Sequence, residues 1–447
     1  MKTIQRKIIL SAFLILAVIV SSKAQNEAWT LDDCINYALE KNIDVRKSIL
    51  STREDEYNLE QSKANVLPSV SGSASTSFTW AKEALSESNN FADRAESNTT
   101  SFGVNASMTL YNGSKLKNTK KQAEINLKSG QFYSDEIKES VSLNILNAYL
   151  EILYAQESVK NAQEQITSTS EELALAKERM EIGIISKADY LQIKSELASE
   201  KSTLADAQST LAIDRVTLMQ LMELPVNDSF RIVVPDMTDL LVVDEKPVVA
   251  DIYLQALEIK PQIKEATLDV ESAKLDEKIA KADLYPSLSF DAGLNTGWSD
   301  DISGYSYNEQ LTNQFTPSVG LSLSIPIYQN KEARINLALA KISTQSTQLD
   351  EIDVKNDLRK NIEQACVDLT SAQTQYNANL DEYDSAKESY LVASEKYGEG
   401  LLNSVDFLSV KTDLITAESD LLQAKYNLVF SSKIIDFYKG VPISLSK

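Results

Sequence analysis

A glycine followed six residues later by an aspartate occurs twice in this sequence in matching surroundings. The segments are Met180-Glu181-Ile182-Gly183-Ile184-Ile185-Ser186-Lys187-Ala188-Asp189 and Tyr397-Gly398-Glu399-Gly400-Leu401-Leu402-Asn403-Ser404-Val405-Asp406. Their residue types are those of helix ends. Gly183 and Gly400 suit the left-handed turn that closes a helix, Ser186 and Asn403 suit the cap of the next, and Asp189 and Asp406 fall three residues on, in an electropositive first turn. Capping alone accounts for both aspartates. Covalent chemistry has little else to draw on. The 447 residues include no His, which excludes Ser/His/Asp and Cys/His nucleophilic systems, imidazole metal sites and a histidine proton shuttle. Acidic pairs such as Asp300-Asp301 lie in loop-like sequence, where solvation is the ordinary state. We expect no enzyme, no cofactor and no metal centre.

An internal repeat positions these two segments. Leu67-Pro68-Ser69 recurs as Tyr285-Pro286-Ser287 at an offset of 218, where Trp80 also matches Trp298. Further on the offset is 217: Gly183 matches Gly400, Asp189-Tyr190-Leu191 matches Asp406-Phe407-Leu408, Lys194 matches Lys411, and Pro225 matches Pro442. The chain therefore reads as two copies of one unit, 25-223 and 251-443, joined by a Pro-containing linker, 224-250. Ahead of them, residues 1-24 have the form of a signal peptide: a basic start, an apolar run from Ile8 to Val20, and Ser22-Lys23-Ala24 before the cut. The formal charge is −21, from 44 basic and 65 acidic residues, and losing Lys2, Arg6, Lys7 and Lys23 leaves about −25. Such a balance opposes phosphate backbones, so no nucleic-acid partner is expected.

Each copy holds two stretches of period two. Strands are predicted over 69-80 and 101-111, and over 287-298 and 317-328, each with one apolar face and one face of Ser, Gly, Asn and Thr. An ordinary sheet packed on a soluble core is one reading. The other is a set of membrane strands, because the lengths match a tilted crossing of hydrocarbon and Trp80 and Trp298 take the place of an interfacial aromatic belt. Four strands cannot close a barrel, since about eight is the minimum, and an open edge in lipid leaves backbone groups unpaired. Membrane strands would thus require several copies of the chain. The joining loops, Ala81 to Thr100 and Ser299 to Thr316, are polar.

The remainder is proline-poor and helical. Long hairpins are predicted over 113-221 and 330-437. In the first, Ile145, Ile152, Val159, Ile166, Leu173 and Met180 recur every seven residues; in the second, Ile362, Leu369, Tyr376, Tyr383, Tyr390 and Tyr397 do so. Heptads of this kind make a coiled-coil seam. Export permits a disulfide between Cys34 and Cys366, although two buried thiols in helical seams are the plainer expectation.

The leader, the duplicated strand-pair-and-hairpin unit, Leu-Pro-Ser before the strands and the apolar-Gly-apolar tip with its following Asp together resemble the TolC-like outer-membrane efflux proteins over nearly the whole mature chain. That resemblance implies an α+β membrane protein: a homotrimer with a twelve-stranded β-barrel, four strands per chain, continued by a long α-helical coiled-coil barrel in the periplasm. An equatorial region would contain the linker and the helix around Leu31 to Lys41. The implied function is the exit duct of a tripartite efflux pump or type I secretion system, working with a periplasmic adaptor and an inner-membrane transporter. Adaptor docking maps onto Ile182, Gly183, Ile184, Glu399, Gly400 and Leu401, and the periplasmic gate onto Asp189, Tyr397 and Asp406. Two family positions differ, because the latch arginine is Leu402 and a second constriction acid is Ser409. Heptads alone would also fit an exported coiled-coil structural or adhesin protein without a pore.

Overall fold

The computed structural model describes residues 28–81, 95–227, 229–237, 241 and 246–445. The expected leader, most of the first joining loop and part of the linker lie outside the described residues. In chain order the elements are α1 (Leu31–Lys41), α2 (Ile43–Ala64), β1 (Ser69–Ala81), β2 (Ala95–Asn112), α3 (Lys115–Glu181), α4 (Lys187–Leu221), α5 (Val249–Ile259), α6 (Pro261–Ala282), β3 (Ser287–Ser299), α7 (Tyr307–Asn313), β4 (Thr316–Ser324), α8 (Glu332–Gly398) and α9 (Ser404–Tyr438). The duplication is visible in the lengths. Matching helices have 11, 22, 67 and 35 residues in both copies.

The chain forms two compact units. One comprises Leu50–Phe132 and Lys264–Val354 and contains the sheet, in the order β1-β2-β3-β4 with every pair antiparallel. β2 starts at Ala95, earlier than expected, because β1 needs a ladder partner along its whole length: Trp80 pairs with Glu96 and Thr76 with Thr100. β4 ends at Ser324, short of the predicted 328. Pro326 has no amide hydrogen to donate, so Ile325, Ile327 and Tyr328 fall outside the strand. The second joining loop also holds a short helix, α7, whose start is closed by a capping box between Ser306 and Glu309. The apolar face is uncovered: Val70, Phe78, Trp80, Val104, Val319, Leu321 and Leu323 are all exposed.

The other unit contains Tyr133–Ile263, Lys355 onward and the described chain up to and including Ile49. Here α3 buries Ile145, Leu146, Ile152 and Leu153 against Leu218, Met219, Met222 and Val429, with Cys34 and Ala38 of α1. Truncating one such Leu or Ile to Ala costs about 2–5 kcal/mol. Both cysteines are free and buried, and burial pushes the Cys34 thiol up to about 12. The kink between short and longer helix is held in both copies at equivalent positions by different chemistry. Asn42 donates from Nδ2 to the Leu221 carbonyl at 2.9 Å and accepts at Oδ1 from the Asp44 amide at 2.9 Å. Lys260, buried, instead pairs with Glu139 at 3.0 Å and lies 3.1 Å from the Phe437 ring centroid. Burial lowers its pKa and Glu139 opposes that shift; the aromatic face adds a cation–π attraction.

Candidate functional site: the hairpin tips

Both hairpins turn as their sequences dictate. Ile184 N donates to Arg179 O at 2.9 Å and Leu401 N to Lys396 O at 2.8 Å, the six-to-one bonds that end a helix through a left-handed residue. Gly183 and Gly400 are those residues, with φ of 80° and 77°, and open space surrounds both. The next helices start on caps. Ser186 Oγ donates to Asp189 Oδ2 at 2.7 Å and accepts from the Asp189 amide at 3.1 Å, while Asn403 Nδ2 donates to Asp406 Oδ2 at 2.8 Å. Ile182, Ile184 and Leu401 stand exposed at 72%, 64% and 72%, an apolar tip with nothing over it among the described residues.

The two hairpins are joined to each other within the chain. Ser404 Oγ, buried, donates to Asp189 Oδ1. Hydrogen bonds from Ser186 and then Ser404 favour the anion and hold the Asp189 carboxyl below the usual carboxylate range. Arg179 on α3 reaches across to the end of α8, donating to Tyr397 O at 3.1 Å and Gly398 O at 2.6 Å, so a cation closes that helix where its dipole is negative. Tyr397 stacks on Phe407 with centroids 4.6 Å apart and planes 7° off parallel. Its hydroxyl is buried without a partner among the described residues. Of the three gate positions expected from sequence, Asp189 and Tyr397 therefore sit within this cross-hairpin contact, whereas Asp406 is exposed and, among the described residues, engaged only by its own cap.

Further along, a buried charge cluster ties four helices. Lys411 of α9 donates to Thr169 Oγ1 at 2.5 Å and to Glu172 Oε2 at 3.0 Å, both on α3, and lies 3.6 Å from Glu200 Oε1 on α4. Thr169 donates to Glu200 at 2.6 Å, and Tyr390 of α8 donates to Glu172 at 3.2 Å. Burial raises the Glu200 carboxyl, against the pull of Thr169 and Lys411. Glu200 Oε2 has no hydrogen-bond partner among the described residues. Arg179 and Lys411 were not singled out as functional by sequence, though Lys411 marks the repeat together with Lys194; that the two lysines differ in burial appears only in three dimensions.

At the sheet, Trp80 and Trp298 lie near the loop ends of β1 and β3. Trp80 is exposed at 63% beside Phe78, and Trp298 packs 5.6 Å from Tyr307.

A family profile described as outer membrane efflux protein matches residues 34–223 and 252–436, which together are the two copies of the repeat. The chain belongs to the outer membrane efflux protein family. Its place is the outer membrane and its work is passive transport, with no enzymatic step. Solved structures share the fold. The efflux protein is similar to CusC, described in connection with folding and transmembrane channel formation (TM-score 0.79, 19% identity, 94% of this chain and 96% of that one). It is also similar to the Campylobacter jejuni CmeC outer membrane channel (0.76, 20%, 92% and 85%) and to the open state of the Neisseria gonorrhoeae MtrE outer membrane channel (0.74, 19%, 92% and 88%). No curated protein sequence is similar enough to count as a relative. No helix among the described residues is long and apolar enough to cross a membrane.

Proposed function

We propose that three copies of this chain close a twelve-stranded barrel in the outer membrane, continued by a helical cylinder, and serve as the exit duct of a tripartite efflux pump or type I secretion system. The sheet carries the reading. Among the described residues its four strands end in two unpaired edges, β1 and β4, and its apolar face is bare, so water leaves that face uncovered and lipid leaves the edges unpaired. Copies joined β4 to β1 answer both conditions at once. The first part of α8 agrees, since Ile335, Leu339, Ile342, Leu349 and Ile352 form an exposed apolar stripe at helical spacing, suited to a neighbouring helix.

In this assembly Trp80 and Trp298 form the aromatic belt at one membrane surface. The apolar tips at Ile182-Gly183-Ile184 and Glu399-Gly400-Leu401 receive the hairpins of a periplasmic adaptor, coupled to an inner-membrane transporter. Asp189, Tyr397 and Asp406 line the periplasmic gate, which opens when the hairpins move apart. Conduction is passive and cation-preferring, given the acidic chain. Reconstitution in planar bilayers tests the whole. Discrete channels with cation preference, from a species whose mobility in detergent changes on heating, are expected. A water-soluble chain that never yields a channel would instead leave the porefree coiled-coil reading.

A further inference from the structure

The ladder sorts the side chains of the sheet into rows that share a face. Ser69 pairs with Ser107, Ser107 with Asp291, and Asp291 with Gly320, so all four stand on one side. The row of Val70, Ala106, Ala292 and Val319 beside them takes the other. Among the described strand residues only Glu96 and Asp291 carry charge, and none is Lys or Arg. Glu96 pairs with Trp80 and so belongs to the apolar face, near the loop end. Asp291 is therefore the one charged side chain on the polar face among the described residues, at a position where strands rarely take Asp.

Its surroundings leave that charge open. Ser289 Oγ donates to Asp291 Oδ2 at 3.1 Å, while the neighbouring Ser107 hydroxyl is engaged with Ser69 at 2.9 Å. On the other side, open space surrounds Gly320. Neutral amides lie low over glycines in the adjoining rows: a Cβ on Gly293 would stand 3.0 Å from Asn105 Oδ1, and one on Gly103 2.6 Å from Asn295 Oδ1. A hollow of about 340 Å³ opens over this face, lined by Ser71, Asn105, Ser107, Asp291 and Ser318. Lys115, just past the end of β2, is taken up by Asp283 at 2.7 Å.

We propose that Asp291 sets the charge preference of the pore inside the barrel, where one copy from each chain forms an acidic ring that favours small cations and holds anions back. The assignment rests on the three-chain barrel proposed above, whose lumen is lined by the hollowed polar face. There the carboxylate stays hydrated, whereas the lipid side would strip it of water. Twelve strands about 4.8 Å apart and tilted ~40° close at a radius of about 12 Å, which sets the carboxylates roughly 9 Å from the axis. Three charges at that distance enrich a monovalent cation on the axis about two- to three-fold at ~0.1 M salt and scarcely at ~1 M. Because the sheet carries the ring and the hairpins do not, the preference holds whether the tip is closed or open.

Reversal potentials across planar bilayers under a KCl gradient read that preference. Asp291→Asn is expected to lower the cation-to-anion permeability ratio at least about two-fold in dilute salt. Glu96→Gln removes the same charge from the opposite face and should leave the ratio as in the wild type. Asp291→Cys, in a background with Cys34 and Cys366 changed to Ser, separates charge from shape within one folded channel. A thiol reagent bearing a sulfonate should restore the ratio, and one bearing a quaternary ammonium should lower it further. A ratio that Asp291→Asn leaves unmoved, that shifts alike with either reagent, or that falls equally in Glu96→Gln overturns the ring and leaves the channel standing. Absence of channels from the wild-type chain overturns the barrel and the ring together.

Discussion

Replacing Lys411 by Met tests the cluster on which the stiffness of the hairpin pair depends. The methionine fills the space of the lysine stem, so the change isolates the ammonium. The Lys411 side chain is 5% exposed, and its ammonium lies 3.0 Å from Glu172 and 3.6 Å from Glu200, whose side chains are 16% and 5% exposed. Its loss leaves two carboxylates with Thr169, Ser168 and Tyr390 as their remaining hydrogen-bond donors among the described residues. Breaking a buried pair in this way costs about 3–5 kcal/mol, against ~0–1 kcal/mol for a pair at the surface. A loss of that size lowers the apparent unfolding midpoint on the order of 5–10 °C. Circular dichroism of the detergent-solubilised protein measures it. The pH dependence sharpens the test. The Glu200 carboxyl is already raised by burial, so its titration favours the fold at low pH, an advantage lost as pH rises through the raised value. Without Lys411 the value rises further, and the deficit of the variant shrinks on acidification. Adding Glu200→Gln to the variant should likewise recover most of the loss. A deficit under about 1 kcal/mol, or one unchanged by acid and by Glu200→Gln, would show that the cluster does not hold the helices.

Asp189→Asn keeps the shape and removes the anion that Ser186 and Ser404 serve. Since the Asp189 carboxyl is held low, its contribution is present above the ordinary carboxylate range and lost as pH falls through the lowered value; the wild-type tip should therefore loosen in acid, seen as rising channel conductance, while the variant changes less. Gly400→Ala meets no neighbour, so its cost is the left-handed backbone alone, about 1 kcal/mol; near-normal folding is expected, with weaker capture of a cognate adaptor because the helix end shifts. Wild-type adaptor binding by this variant would take Gly400 out of the docking surface.

The repeat was legible because it is written in positions that geometry cannot spare. Gly183 and Gly400 need a positive φ, prolines stand where strands begin, and apolar residues every seven mark the seams that bury Ile145, Ile152 and Ile362. Strand ends were less legible. β2 runs through Glu96-Ser97-Asn98-Thr99-Thr100, polar residues that become strand only because β1 lies alongside, and β4 stops before Pro326 although its apolar alternation continues to Ile327. The cross-hairpin contacts were invisible for a different reason. Arg179 and Lys411 gain their roles from partners hundreds of residues away or on other helices, and nothing in a heptad distinguishes Lys411, which is buried, from Lys194, which is not.

That difference bears on how the two hairpins of one chain hold each other. Where the first hairpin surrounds Lys411 with Thr169, Glu172 and Glu200, the second copy has Ala386, Ser389 and Ala417 at the equivalent positions, too small and uncharged to hold a lysine. The departure from the family at Leu402 fits the same division. With leucine at 402, the cation that closes the end of α8 comes from Arg179 of α3, so the first hairpin caps a helix of the second within one chain.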